Sequence, residues 1–246
     1  MQRKWIAGLT VMAGLLFAES ASAGGLTVSP IMVELSAKET AQGLWLSNSG
    51  SEPMRAQLRG YVWSQGEGVD AVQPTQDLIL SPPMLTLAPG QQQLVRVIRA
   101  GAATPREQSY RILIDELPDP NKPQHDGLNF VMQFSVPVFV LAGDQAKGAV
   151  AAAPLDWKIA NEGGKFVLTA SNAGSQRTQI ADFELADAQG KILQQQPGLF
   201  GYVLAGATRR WSLPLTAADA AAATAIQARI NGEPVRQNLR VESGAR

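Results

Sequence analysis

Leu128-Asn129-Phe130-Val131-Met132-Gln133-Phe134-Ser135-Val136-Pro137-Val138-Phe139-Val140-Leu141 is the stretch on which the reading of this chain turns. Its even-numbered positions are all large and apolar, whereas the odd ones are mixed. Successive strand side chains alternate between faces, so a period of two places the whole even set on one surface. At ~3.3 Å per residue the strand would run to over ~40 Å, well past the usual length of about five or six residues. A strand that long overhangs the sandwich it belongs to. The surplus wraps a barrel, bridges two domains or is offered to another protein.

Pro137 narrows the choice. It has no N–H to give to a ladder, which confines proline to edges and bulges, so the stretch is predicted to be an edge at least there. A bare edge with a continuous apolar stripe invites aggregation. A partner that pairs with it removes the hazard.

Upstream of this stretch, short runs rich in Val, Ile, Leu, Phe and Thr alternate with Gly, Pro, Asn and Asp. Strands are predicted over Leu26–Leu35, Ala41–Asn48, Met54–Trp63, Met84–Leu87, Gln92–Arg99 and Ser109–Glu116, which together with 128–141 make an antiparallel β-sandwich. Downstream, 143–154 (GDQAKGAVAAAP) is small-residue and weakly charged and reads as a linker. A second strand-rich block follows over 155–246, with Ala217–Ala225 as a short helix or loop and 187–191 (DAQGK) as a hairpin turn. The second block echoes the first. Leu46-Ser47-Asn48-Ser49-Gly50-Ser51 is mirrored by Ala170-Ser171-Asn172-Ala173-Gly174-Ser175, and 85–90 by 202–206, in the same order. The fold class is therefore all-β, two tandem sandwiches.

The N-terminus is of another kind. Arg3 and Lys4, an apolar run from Trp5 to Phe17 and Ala21-Ser22-Ala23 form a secretory signal peptide over 1–23, cut after Ala23. The mature chain then divides into a first domain over 24–142, the linker, and a second domain over 155–246. The composition, 45% hydrophobic and 17% charged, is that of a globular chain with a real core. Lys+Arg and Asp+Glu balance at 21 each, which argues against nucleic acid and anionic membrane as partners. Cys is absent, which removes disulfides, thiol catalysis and Cys-ligated metal, and each domain must be held by core packing alone.

Chemistry is hard to place on this chain. The single His, His125, sits in a Pro-rich polar loop, 118–127, and reads as solvated. Asp115 and Glu116 are adjacent in a strand, so they face opposite ways and do not cooperate. No phosphate loop, HExxH or zinc spacing occurs. No enzyme activity, cofactor, metal or small-molecule substrate is expected. Arg96, Arg99 and Arg111 are expected on neighbouring strands, either as a solvated ladder or as a carboxylate anchor built from the planar guanidinium fork.

The sequences LTVSPIMVEL (26–35), LSNSGSEP (46–53), SPPMLTLAPGQQQLVRVIR (81–99), SYRILIDELP (109–118) and the stripe over 128–140 resemble the periplasmic chaperones of the chaperone–usher pilus pathway, most closely their archaic or non-archetypal branch. The resemblance implies two immunoglobulin-like domains around a cleft. It implies a periplasmic protein that binds, folds and caps pilin subunits by donating its edge strand, and then delivers them to an outer-membrane usher. By position, Leu128, Phe130, Met132, Phe134 and Val136 would fill the subunit's groove. The family's basic pair for the subunit carboxylate falls on Met32 and Pro137, so Arg111 is expected to supply the charge, with Arg99 second. Its interdomain ion pair falls on Glu116 and the uncharged Leu141. The same bare edge can also pair with a second copy of the chain. The alternative reading is a secreted two-domain binding or adhesion module, with Tyr61, Trp63 and Trp45 as clustered aromatics. An esterase using His125 is a third.

Overall fold

The computed structural model describes residues 25–118, 131–143, 147–148 and 154–242. Ten strands make the first sandwich: β1 Leu26–Ser29, β2 Val33–Leu35, β3 Ala41–Asn48, β4 Met54–Ser64, β5 Ala71–Pro74, β6 Leu78–Ser81, β7 Met84–Leu87, β8 Gln92–Arg99, β9 Gln108–Leu117 and β10 Gln133–Val140. One sheet runs β1-β3-β8-β6, the other β2-β10-β9-β4-β5 with β7 also on β4. Alternating apolar positions meet between them: Leu44, Leu46, Val95, Val97, Ile112 and Ile114 are all 0% exposed. Each lies one residue from a polar or exposed neighbour, which is the period-2 pattern of a half-buried strand.

The stretch 26–35 differs from the single strand predicted. Pro30 interrupts it after Ser29, because proline cannot continue a ladder, and the chain crosses from one sheet to the other. β1 pairs with β3, and β2 pairs in parallel with β10 at Val138, Phe139 and Val140. The three arginines also separate. Arg96 and Arg99 lie on β8 in one sheet and Arg111 on β9 in the other, so they do not form one ladder.

The second sandwich comprises β11 Asp156–Glu162, β12 Lys165–Ser171, β13 Thr178–Asp187, β14 Ile192–Val203, β15 Thr208–Leu213, the short helix α1 Ala217–Ala222, β16 Ala223–Ile230 and β17 Glu233–Glu242. Its strands run β14-β13-β16-β17-β11-β12-β15 and enclose Trp157, Ile159, Leu168, Ile180 and Phe183. Phe183 and Phe200 stack at 4.2 Å. Thr216 caps α1 by accepting from the Asp219 N–H, and extended backbone at Ala223 ends it.

The echoed Asn residues do the same work in both domains. Asn48, 1% exposed, donates its amide to the carbonyls of Glu52 (2.7 Å) and Leu87 (3.1 Å) and accepts from Gly50 N–H (2.8 Å). Asn172, 2% exposed, donates to Gln176 (2.7 Å) and Val203 (3.1 Å) and accepts from Gly174 N–H (2.9 Å). A carboxamide offers donors and acceptor at once, so a single side chain closes its own turn and ties it to a neighbouring segment.

The domains meet across the outer face of the β10 sheet. Trp63, Phe139 and Leu141 of the first pack on Tyr202 and Leu204 of the second, with ring centroids 5.6 to 5.9 Å apart among the three aromatics. Gln65 sits across the seam, donating to the Tyr202 carbonyl (2.7 Å) and accepting from the Leu204 N–H (2.9 Å).

Candidate functional site

β10 is paired along one side and half-open along the other. On the first side all eight residues, Gln133 to Val140, are in register with β9. On the second, β2 covers only Val138 to Val140, so 133–137 has no ladder partner among the described residues. Hydrogen-bond parity fixes what this margin offers. Glu116 N–H donates to the Met132 carbonyl (2.9 Å), one step beyond the Gln133–Asp115 pair, so even-numbered residues exchange bonds with β9. The backbone groups of odd-numbered residues then point the other way. Leu141 N–H donating to Leu35 on β2 (2.8 Å) shows the same parity. The open margin therefore presents N–H and C=O of Gln133 and Ser135, while the parallel Val138–Val33 pairing takes up the C=O of Pro137. Proline stands where its missing N–H leaves no donor unpaired.

The even-numbered stripe changes surroundings along the strand. Val140 and Val138 are 1% and 0% exposed, Val136 4%, Phe134 is half-buried against the same core, and Met132 is 52% exposed. Val136 is thus packed in the core of its own domain, at the inner end of the stripe expected to fill a client's groove. The reason is length: the two-sheet core reaches as far as Val136, and the stripe emerges from it at Phe134. Leu128 and Phe130 lie outside the described residues, as does His125.

The outer face of this sheet carries the polar groups. Arg59 on β4 pairs with Asp115 (2.7 Å), which also accepts from the Gln133 amide (2.5 Å), so a network reaches the open strand. Those bonds, Gln133 first, hold the Asp115 carboxyl below its ordinary value despite partial burial. Glu116 faces the other way, its carboxylate 3.4 Å from Met132 N–H. Arg111 lies in the row Tyr61–Arg111–Pro137. Its guanidinium stacks 3.7 Å from the Trp63 ring centroid, and its hydrogen bond is a long one, 3.5 Å to Ser135 Oγ at the margin. Among the described residues it forms no ion pair. Burial pulls its pKa down, opposed chiefly by the charge of Asp70. An incompletely solvated cation with a free fork is chemically suited to a carboxylate. Arg99, in the other sheet, gives Nη2 to the Ala37 carbonyl (3.1 Å).

Other expectations resolve differently. Trp63 is 3% exposed at the domain seam and Trp45, 42% exposed, lies in the opposite sheet, so the aromatics do not form one glycan-type surface. Among the described residues no group of His, Asp and Glu is placed to hold a metal ion.

The interdomain ion cluster was not legible in the sequence. Leu141 is buried in the seam, and the charge comes from the second domain instead. Arg177, with 3% of its side chain exposed, pairs with Glu107 (2.6 Å) and Glu34, and stacks 3.7 Å from the Phe139 ring centroid. Met32 packs beside it, its Sδ 3.8 Å from Nη2. Burial pushes the Glu107 carboxyl up, and Arg177 offsets this only in part. The one available signal was a Glu at position 34 within an otherwise apolar strand.

The protein is thus two sandwiches, the first of which ends in a strand left half-open along one side. Residues 25–141 match the family model of pili and flagellar-assembly chaperones, PapD N-terminal domain. The first domain is thus a domain of that chaperone family. The fold agrees over both domains. The chaperone CsuC of Acinetobacter baumannii, solved in a pre-assembly complex with the tip adhesion subunit CsuE of archaic Csu pili, is 22% identical with a TM-score of 0.71, covering 89% of this chain and 99% of that one. The Salmonella enterica chaperone SafB, solved with the pilin SafA, is 20% identical with a TM-score of 0.60 (87% and 96% covered). The Pseudomonas aeruginosa chaperone CupB2 is 19% identical with a TM-score of 0.57 (86% and 98% covered). No curated protein matches the chain in sequence.

Proposed function

We propose that this protein is a periplasmic chaperone that captures unfinished pilin-type subunits on the open margin of β10 and passes them to an outer-membrane usher. The half-open strand carries the reading: β9 satisfies one side throughout, and the other is covered only from Val138 onward. A client strand laid on this margin would receive main-chain bonds at Gln133 and Ser135. Met132 and Phe134, continued by Leu128 and Phe130, would enter the client's apolar groove. Each is worth roughly 1.5–3 kcal/mol of burial before ordering costs, enough for a complex that is tight yet exchangeable. Arg111, beside Ser135 and without an ion-pair partner among the described residues, is the residue of choice for the client's terminal carboxylate, ahead of Arg99.

The test is co-purification of subunits from a periplasmic extract. Met132→Asp with Phe130→Asp should abolish capture while circular dichroism and melting stay near those of the parent. Capture retained by the folded variant would refute strand donation.

A further inference from the structure

Arg111 is held by groups that belong to both domains. The indole under its guanidinium is fixed on three sides. Trp63 Nε1 donates to Asp70 (3.0 Å), Tyr202 of the second domain meets the ring edge-on at 5.6 Å and 82°, and Phe139 packs at 5.9 Å. Asp70 is itself held by the Gln65 amide (2.9 Å) and by Arg209 of the second domain (3.1 Å). Arg209 also donates to the Gly68 carbonyl (3.0 Å), closing the loop that carries Asp70 onto the second domain. Asp70, whose negative charge acts on Arg111, is thus engaged by other groups and leaves the Arg111 fork open. A cation on an aromatic face is oriented by the ring quadrupole without losing its hydrogen-bonding edge. A carboxylate would have competed for that edge.

We propose that Trp63 is a positioning residue for carboxylate recognition at Arg111, and that the second domain takes part in that recognition by holding the indole through Arg209–Asp70 and Tyr202. The inference rests on Arg111 being the anchor. The role of the ring is to keep the guanidinium flat and aimed toward Ser135 and the open margin. The contribution of the second domain is then selectivity for a chain end, separate from the affinity of edge pairing.

The probe is a short alternating Val/Thr peptide, as the free acid and as its C-terminal amide, titrated onto the full chain by calorimetry. The readout is the ratio of the two affinities, because damage to the edge or the fold lowers both and leaves the ratio alone. The parent should favour the acid by about tenfold, the size of one charge-assisted hydrogen bond. Arg111→Ala should bring the ratio to about one. Trp63→Leu and Arg209→Ala should each bring it down to roughly threefold or less, with the amide affinity unchanged. A parent ratio near one would remove Arg111 as anchor and this inference with it. A parent ratio lost in Arg111→Ala but kept in Trp63→Leu and Arg209→Ala would overturn the positioning role alone. Where Trp63→Leu fails to fold, Arg209→Ala and Asp70→Asn, both at partly exposed sites, decide the matter.

Discussion

Replacing Arg177 by Met should loosen the two domains in a pH-dependent way. Arg177 and Glu107 have 3% and 0% of their side chains exposed, so the change strands a buried carboxylate without its cation. Breaking a buried pair from one side costs about 3–5 kcal/mol. At ~2–4 °C per kcal/mol for a chain of this size, the melting temperature should fall by roughly 6–20 °C. The pH sign follows from Glu107. Its folded pKa lies above the ordinary 4.5 because burial outweighs Arg177. Its contribution to stability is therefore full below that ordinary value and is lost as pH rises through the folded one. Replacing the side chain deletes its charge and its guanidinium hydrogen bond but keeps the bond from the residue-177 N–H, so burial and the Glu34 charge raise the carboxyl further. The window moves up toward neutrality, so the deficit against the parent should be largest near pH 8 and shrink toward pH 5. Calorimetric melts at both values measure it. A neutral replacement of the whole cluster, Arg177→Met with Glu34→Gln and Glu107→Gln, should recover most of the loss. A melting point unmoved in the single variant, or equal deficits at both pH values, would refute the reasoning.

Two other outcomes follow from packing. Asn172→Ala leaves the Gln176 and Val203 carbonyls and the Gly174 N–H without partners at a buried site. It should cost about 2–3 kcal/mol in a urea titration, as should Asn48→Ala, and a loss below half a kcal/mol would deny them the turn-locking role. Val136→Ala should lower stability by roughly 1.6 kcal/mol, two buried carbons' worth, whereas Met132→Ala should leave it within about 0.5. Equal effects on melting would place the boundary between core and open stripe elsewhere.

Much of the fold could be read along the chain. The predicted strands 41–48, 84–87 and 92–99 coincide with those observed, because each alternates cleanly between turn residues. The matching Asn-x-Gly turns also announced a structural equivalence. β5 escaped notice since Ala71–Pro74 is exposed throughout and has no periodicity, and β6 is a run of only four residues. The strap of 26–35 was legible as apolar, but not as crossing between sheets. Arg177 was invisible for a different reason: Glu34 and Glu107 are 143 and 70 residues away from it. Nothing local distinguishes a buried ion pair from a solvated one.

Period, parity and punctuation belong to the sequence alone. The even positions of 128–141 share a face, and Pro137 marks an edge, because side-chain alternation and the missing N–H are covalent properties that no neighbour alters. Ownership of that face belongs to the tertiary structure. Only the stacking of the two sheets decides that Val136 is interior and Met132 is not, and only the shortness of β2 leaves the margin uncovered. The same holds for the cleft cation, since the setting of Arg111 is assembled from Trp63, Asp70 and a second domain far along the chain. Burial and charge pairing are set by what folds against a residue, and that is a property of the whole.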